Sequence, residues 1–184
     1  MTKPIRPSAS DAIVAAAFEC LNRDPTATLA EIAARAGVGR ATLHRHFANR
    51  AELLRVLALQ ALRETDEAAE RAAAPACSHT EALQRIMYAM IALGDRHWFL
   101  VQDSTSQSPA LSEQLKRQQS ELHALIRAAK AEQGFAADSS VIWIAHCYDH
   151  LIHAAWEMVL AEQTTVKQAS ELAWATLLNG LSGR

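Results

Sequence analysis

The segment 28–55, which reads TLAEIAARAGVGRATLHRHFANRAELLR, restricts the possible folds of this chain more than any other segment. Thr28 and Glu31 have the T-x-x-E spacing of a capping box, in which each side chain satisfies a free backbone amide at the start of a helix. Gly37 is suited to end that helix, and Gly39 to open the next one at once. The segment therefore predicts two short helices joined by a tight turn that contains glycine.

The second short helix has two chemically distinct sides. Leu43 and Phe47 are its apolar anchors, and the other positions hold arginine, threonine and histidine. Asn49 and Glu52 then repeat the capping pattern as N-x-x-E, so that a further helix follows directly. A helix-turn-helix whose second helix is polar and basic is suited to contact phosphates and base edges in the major groove of DNA.

The remainder of the chain is also expected to be helical. Of its 184 residues 50% are hydrophobic, with alanine and leucine dominant, and no run alternates apolar and polar residues over the length of a strand. We therefore predict an all-α fold with an N-terminal helix-turn-helix domain of three helices and a C-terminal helical bundle.

Three absences in the sequence favour a cytoplasmic protein that has no membrane association. No apolar run reaches the roughly 20 residues of a membrane-spanning helix. The first ten residues lack the apolar block of a secretory signal. Cys20, Cys77 and Cys147 show no C-x-x-C spacing and are expected to be reduced.

The charge is distributed unevenly along the chain. Residues up to Arg55 hold eight basic and five acidic side chains, whereas the remainder holds ten basic and fifteen acidic ones. The N-terminal segment is therefore positive although the formal net charge of the chain is −2. A basic segment on an acidic body is consistent with nucleic-acid contact at one end only.

Caps, prolines and glycines divide the rest of the chain into further helices. Ser8 or Ser10 is expected to cap a first helix that ends near residue 22. The segment 75–79 is the loop that best marks a domain boundary, and the polar segment 103–108 is another loop. The other predicted helices run from 49 to about 74, from a cap at Thr80 to Gly94, and over 97–102, 110–133, 139–162 and 165–181.

Residues 12–57 resemble the DNA-binding domain of the tetracycline-repressor (TetR) family of transcriptional regulators. The similarity includes the A-I-V-A-A-A-F first helix, the A-G-V turn, the T-L and H-F pairs and the N-R-x-x-L sequence that begins the fourth helix. The resemblance implies a DNA-binding domain at residues 1–57 and a ligand-binding and dimerisation domain at 58–184.

The resemblance also implies DNA contacts, position by position. Arg40 is expected to make a bidentate contact to guanine, and Ala41 and Thr42 to pack on a thymine methyl group. The expected phosphate contacts are those of Thr28, His44, Arg45, His46 and Arg50. Two of the usual family residues are replaced here. Gly39 stands where serine is common and lacks its hydroxyl, and His44 stands in place of tyrosine, so that its DNA contact becomes pH-dependent.

A second notable feature is a histidine-rich helix over 143–157, WIAHCYDHLIHAAWE. At 100° per residue its side chains separate into two stripes. A core-like stripe consists of Val141, Ile144, Tyr148, Ile152, Ala155 and Val159. The opposite stripe, called the histidine stripe below, consists of Trp143, His146, His150, His153 and Glu157, with Asp149 at its edge.

Three interpretations of the histidine stripe remain open. It faces water or a dimer partner, or it lines a ligand pocket, or it binds a divalent metal. In the metal interpretation His146 and His150, at i and i+4, would share the ion with Asp149 or His123. The ligand interpretation requires that His146 and His150 be substantially buried.

We therefore predict a ligand-responsive transcriptional repressor that is not an enzyme, needs no resident cofactor and binds a palindromic operator as a homodimer. The last two helices are expected to form the dimer interface, with Trp174 in the core or in that interface. A small, partly aromatic or apolar effector is expected in a pocket formed by Met87, Met90, Trp98, Phe99, His123, Trp143, His146, Cys147 and His150. The alternatives are a helical metalloprotein or metal-responsive regulator that uses His146, His150 and Asp149, and a constitutive DNA-binding protein without a pocket.

Overall fold

Helix-favouring residues and well-placed caps produce a helical chain, as predicted. The computed structural model describes residues 8–102 and 109–181, and within these ranges the chain forms helices and no strand. The all-α fold class is therefore confirmed, while the predicted loop 103–108 lies outside the described residues. The helices are α1 (Ala9–Arg23), α2 (Leu29–Arg35), α3 (Arg40–His46), α4 (Arg50–Ala73), α5 (His79–Ala92), α6 (Gly94–Gln102), α7 (Pro109–Ala131), α8 (Val141–Leu160) and α9 (Val166–Leu181).

Side-chain caps set most of the helix starts. Ser8 caps α1 in a capping box with Asp11, and the predicted Thr28–Glu31 box at α2 is present. The Asn49 side chain accepts from the Glu52 amide at 2.9 Å at the start of α4. These hydrogen bonds satisfy amides that have no partner within their own helix.

Two predicted boundaries are wrong by a few residues. Ser78, not Thr80, caps α5, because its hydroxyl accepts from the Glu81 amide at 3.0 Å. α6 begins at Gly94 rather than at residue 97, directly after Leu93 ends α5. Gly94 therefore opens one helix rather than closing another.

The buried apolar side chains form two clusters. The first joins α1, α2 and α3 to the N-terminal part of α4 and includes Phe99 of α6 and Leu111 of α7. The second lies among α5, α7, α8 and α9. α4 is continuous from Arg50 to Ala73 and contributes to both clusters, and the predicted division at residues 57 and 58 falls within it.

α6 connects the N-terminal helices to the bundle. Its Phe99 ring packs edge-on against Phe18 of α1, with ring centroids 5.3 Å apart. The Arg96 guanidinium lies 4.5 Å from the centre of the same Phe18 ring and also pairs with Glu64 of α4 at 3.0 Å. The Asn22 side chain of α1 donates to the Asp95 carbonyl at 2.7 Å. Aromatic, cation–π and hydrogen-bonding contacts therefore fix α6 on α1.

Within the described ranges, no helix combines the length and the apolar character that a membrane-spanning segment requires.

Candidate DNA-binding surface and effector cavity

A glycine turn sets the angle between α2 and α3. Gly37 has a φ of 69°, in the left-handed region that glycine adopts without steric cost. Its amide donates to the Ala34 carbonyl at 3.1 Å, and the Val38 amide donates to the Ala33 carbonyl at 3.0 Å. These hydrogen bonds close the end of α2 and direct the chain into α3, which makes the predicted helix-turn-helix.

α3 is anchored by two residues and exposes most of the others. Leu43 and Phe47 are buried in the first apolar cluster, as their spacing predicts. Thr42 is half-buried, whereas the exposed residues are Arg40, Ala41, His44, Arg45 and His46. A surface of this composition on a fixed helix is suited to enter a major groove.

The two arginines of α3 are not neutralised within the structure. Among the described residues, neither Arg40 nor Arg45 forms an ion pair or a side-chain hydrogen bond, and both are exposed. Arg35 of α2 differs, because Glu19 of α1 pairs with its guanidinium at 2.5 Å. The positive charge of α3 is therefore available to a polyanion, while Arg35 fastens α2 to α1.

Thr28 and Arg50, which the sequence predicts as phosphate contacts, both have partners within the protein. The Thr28 amide and hydroxyl donate to the Glu31 carboxylate at 2.7 and 2.8 Å, and these two bonds lower the pKa of Glu31. The Arg50 guanidinium donates to the Pro25 carbonyl at 2.5 Å and to the Ala27 carbonyl. Arg50 therefore holds the loop between α1 and α2 in place. A phosphate that bound Arg50 would have to share the guanidinium with these carbonyls.

A cavity among the described residues lies in the bundle, away from α3. It has a volume of about 610 Å³ and is enclosed by α4, α5, α6, α7 and α8. Its wall is mostly apolar, with Ile86, Met90, Leu100, Leu122 and Leu125 among the lining residues. A volume and a composition of this kind are typical of a small-molecule site.

A few polar groups interrupt this apolar wall. The Tyr148 hydroxyl is occupied, because it donates to the Leu83 carbonyl at 2.7 Å. Burial, and to a lesser degree the Asp149 carboxylate, raises the pKa of Tyr148 well above its usual value of 10.0, so the phenol is neutral. Asp66 accepts from the Gln118 side chain at 2.5 Å, and Asp149 lies 3.4 Å from the His97 ring.

Comparison with known proteins finds similarity in the helix-turn-helix and in the overall fold. The model of the family described as "Bacterial regulatory proteins, tetR family" matches residues 13–57, which hold the helix-turn-helix. The crystal structure of the TetR-like transcriptional regulator LfrR from Mycobacterium smegmatis in complex with proflavine superposes with a TM-score of 0.73 and 26% identity, over 96% of this chain and 97% of that chain. Residues 13–57 therefore match the DNA-binding domain of the TetR family, and the whole chain is similar to a TetR-like regulator.

Two further similarities extend this result. The HTH-type transcriptional repressor LfrR of Mycolicibacterium smegmatis is 42% identical over 83 residues, which cover 45% of this chain and 44% of that protein. The aligned part thus spans less than half the length of this curated relative. The ketosteroid transcriptional regulator KstR2 of Mycobacterium tuberculosis shares the fold, with a TM-score of 0.74 at 16% identity over 98% of this chain and 97% of that chain.

The structure brings four of the nine predicted pocket residues to the cavity. They are Met90, His123, His146 and His150. His146 and His150 are exposed at its rim, so the expectation that they would be substantially buried is wrong. The reason is that the buried side of α8 is the opposite stripe, where Ile144, Tyr148 and Ile152 pack in the second cluster.

The other five predicted pocket residues lie outside the cavity wall. Met87 is buried in the second cluster and Phe99 in the first. Trp98 stacks on His153, with ring centroids 3.4 Å apart and planes within 9°. Cys147 is half-buried, and Trp143 is 60% exposed on the outer side of α8. These five residues were predicted from residue type alone. The prediction failed because residue type does not reveal which neighbouring helix covers each side chain.

The metal interpretation finds no support in the described residues. No group of three or more histidine, cysteine, aspartate or glutamate side chains there is arranged to hold an ion. The His150 Nδ1 lies 2.9 Å from the His146 carbonyl, and Asp149 is directed to His97 rather than to either histidine. The ring centroids of His146 and His150 are 6.4 Å apart. The histidine stripe is therefore divided between the cavity rim, the contact with α6 and the outer surface.

Sequence reasoning missed the contribution of α4 to the cavity, and from α6 it named Trp98 and Phe99 instead of the residues that line the wall. α4 supplies Thr65, Asp66, Ala69, Glu70 and Ala73, and α6 supplies His97, Leu100 and Val101. The spacing of three to four residues along α4 places its set on one face, and the alanines leave room for a ligand. That spacing was visible in the sequence, but the helices facing it were not.

Proposed function

We propose that the protein is a transcriptional repressor that binds a palindromic operator as a homodimer and is released by a small organic effector bound in the bundle cavity. The observation that carries the proposal is α3, a fixed helix that presents two unpaired arginines and two histidines beside buried anchors. Such a regulator would act in the cytoplasm, where its operator is found. We propose repression rather than activation because the chain is similar to LfrR, which is a transcriptional repressor.

Exposed apolar residues on α8 and α9 support the homodimer. Ile142, Trp143 and Leu160 of α8 and Leu172 of α9 are each more than half exposed, although these two helices otherwise pack against each other. Large exposed apolar side chains on neighbouring helices are typical of a protein interface. A twofold interface on this face would pair two copies of α3 for successive major grooves.

The path from the cavity to α1 supports effector control. His97, Leu100 and Val101 of α6 line the cavity, while Arg96 and Phe99 of the same helix contact Phe18 of α1. A ligand that displaces α6 would therefore move the support of the helix-turn-helix. Because LfrR has been crystallised with proflavine, we propose this dye as the first effector to test.

Selection from a random pool of DNA duplexes tests operator binding without a prior choice of sequence. The enriched sequences are expected to have twofold symmetry, with half-sites about one helical turn apart. The double variant Arg40→Ala with Arg45→Ala is expected to enrich nothing, while its circular dichroism spectrum remains that of the wild type. Enrichment of sequences without symmetry would contradict the dimeric operator.

Fluorescence anisotropy of the selected operator then tests effector control. Proflavine is expected to release the labelled duplex from the protein. Ala69→Phe, which fills the cavity from α4, is expected to raise the concentration of dye needed for release. Ala92→Phe is the matched control, because Ala92 is exposed at the end of α5 and outside the cavity lining. Equal dye requirements for the two variants would place the effector site elsewhere.

A further inference from the structure

The cavity contains four carboxylates, and they differ in how well they are satisfied. They are Asp66, Glu70, Glu121 and Asp149. Asp66 accepts from the Gln118 amide at 2.5 Å and from Arg117 at 3.4 Å. Arg117 also lies 3.5 Å from Glu121, and Glu70 and Glu121 are exposed to water. Three of the four carboxylates therefore have close partners or solvent.

Asp149 is the exception. Its side chain is 29% exposed, and its one polar contact among the described residues is the His97 Nε2 at 3.4 Å, which is long for a hydrogen bond. The cavity wall also holds Ala145 and Tyr148, whose hydroxyl is already engaged by Leu83. Lys116 and His146 line the same cavity, but among the described residues neither forms a hydrogen bond or an ion pair with Asp149. A mostly buried carboxylate with one long contact favours the binding of a cation.

His97 depends equally on Asp149. Its ring is 13% exposed, and its Nδ1 is buried without a hydrogen-bond partner in the described part of the chain. The contact with Asp149 is thus the one polar interaction of the ring, and it joins α6 to α8. A competing cation at Asp149 would leave His97 without it.

We infer that the effector is a flat organic cation whose positive charge is bound by the Asp149 carboxylate in place of His97. The inference rests on the proposed function, since it assigns a ligand class to the cavity proposed there. The apolar wall would cover the two faces of the bound cation, and a cavity of about 610 Å³ holds three fused rings. Displacement of His97 would loosen α6 at the residue next to Arg96, which contacts Phe18.

Dye-binding titrations of the full-length protein test the assignment with matched variants. Asp149→Asn is expected to weaken proflavine binding by about 10- to 100-fold, the usual loss when a charged hydrogen-bond partner is removed. Asp66→Asn, a carboxylate of the same cavity with its own partners, is expected to weaken binding by no more than about threefold. His97→Leu is expected to tighten binding, because it removes the competitor for Asp149.

A ligand series of one size separates charge from shape. Proflavine is a tricyclic cation near neutral pH, acridine at pH 8 is its neutral counterpart, and anthracene-2-carboxylate is the anion. The expected order of affinity is cation, then neutral, then anion, and the preference for the cation is expected to vanish in Asp149→Asn.

Three results would overturn the inference, and the first of them would leave the proposed function intact. If acridine or anthracene-2-carboxylate bound the cavity as tightly as proflavine and released the operator, the charge assignment would be wrong and the effector site would stand. If Asp149→Asn and Asp66→Asn lost affinity equally, Asp149 would not be the cation-binding residue. Loss of proflavine affinity in His97→Leu would equally contradict the competition.

Discussion

Arg40 and Arg50 carry the same charge in different surroundings. Arg40 is exposed on α3, whereas Arg50 bridges the carbonyls of Pro25 and Ala27. We expect Arg40→Ala to cost about 1–3 kcal/mol of binding at one operator position and to leave the free energy of unfolding unchanged. Arg50→Ala is expected to weaken binding to all sequences alike, to reduce the salt slope by about one unit, and to lower the free energy of unfolding.

A lysine at position 50 separates the two roles of Arg50. Arg50→Lys keeps the positive charge for phosphate but cannot reproduce the two-carbonyl fork of the guanidinium. It is therefore expected to lose stability like Arg50→Ala and to keep most of the DNA affinity. Urea unfolding and titrations on matched and mismatched duplexes measure both quantities. Equal DNA affinities for Arg50→Lys and Arg50→Ala would show that the charge does not contact phosphate.

At the scale of the element, Gly94 determines how closely α6 approaches α8. A β-carbon built at this position would overlap the Trp156 side chain. Gly94→Ala is therefore expected to lower the free energy of unfolding by about 1–3 kcal/mol, the usual cost of overpacking. Gly180→Ala is the matched control, since it lies in α9 with nothing within 4 Å of the new methyl group. Thermal unfolding that ranks the two variants equally would contradict this packing.

The stacking of His153 on Trp98 makes the α6–α8 contact dependent on pH. Burial lowers the pKa of His153 below its ordinary value of 6.5, although the Glu157 carboxylate opposes this shift. Since the unfolded chain binds the proton more readily, this contribution to stability is present above pH 6.5 and is lost as the pH falls below it. His153→Phe keeps a ring on Trp98 but cannot titrate.

Urea unfolding between pH 7.5 and pH 5 measures the effect of His153. The free energy of unfolding is expected to fall less steeply with acidification in His153→Phe than in the wild type. The carboxylates titrate in both proteins, so the difference between the two slopes isolates this histidine. Parallel slopes would show that protonation of His153 does not oppose folding.

Local signals predicted the elements better than they predicted the cavity. The caps at Thr28 and Asn49 and the turn at Gly37 depend on residues within a few positions, and the structure has them as predicted. The α5 cap was misplaced because Ser78 and Thr80 both precede an acidic residue, and the hydrogen bond of Ser78 to Glu81 decides between them. The cavity depends on which faces of five helices meet. Trp143, which was predicted in the pocket, therefore lies outside it, whereas His97, which was not predicted there, lines it.

At the scale of the whole molecule, the exposed apolar face of α8 and α9 leads to a prediction about the homodimer. Trp174, which the sequence assigned to the core or the interface, is 7% exposed and packs edge-on against Phe135, so it belongs to the core of its own chain. A charged residue at position 174 would unfold the protein, so such a variant would not test the dimer interface. Leu172, which is 56% exposed on α9, is the better position for a test.

Leu172→Glu is expected to convert the proposed dimer to a monomer that remains folded. In a twofold interface the substitution enters twice, and a carboxylate buried without a partner costs several kcal/mol, so the dimer dissociation constant is expected to rise about 100-fold or more. Operator affinity should fall with it, because paired recognition helices bind together. Leu59→Glu makes the same change at another exposed leucine, on α4, and this variant is expected to sediment as a dimer. A dimer that survives Leu172→Glu at micromolar concentration would place the interface on another face.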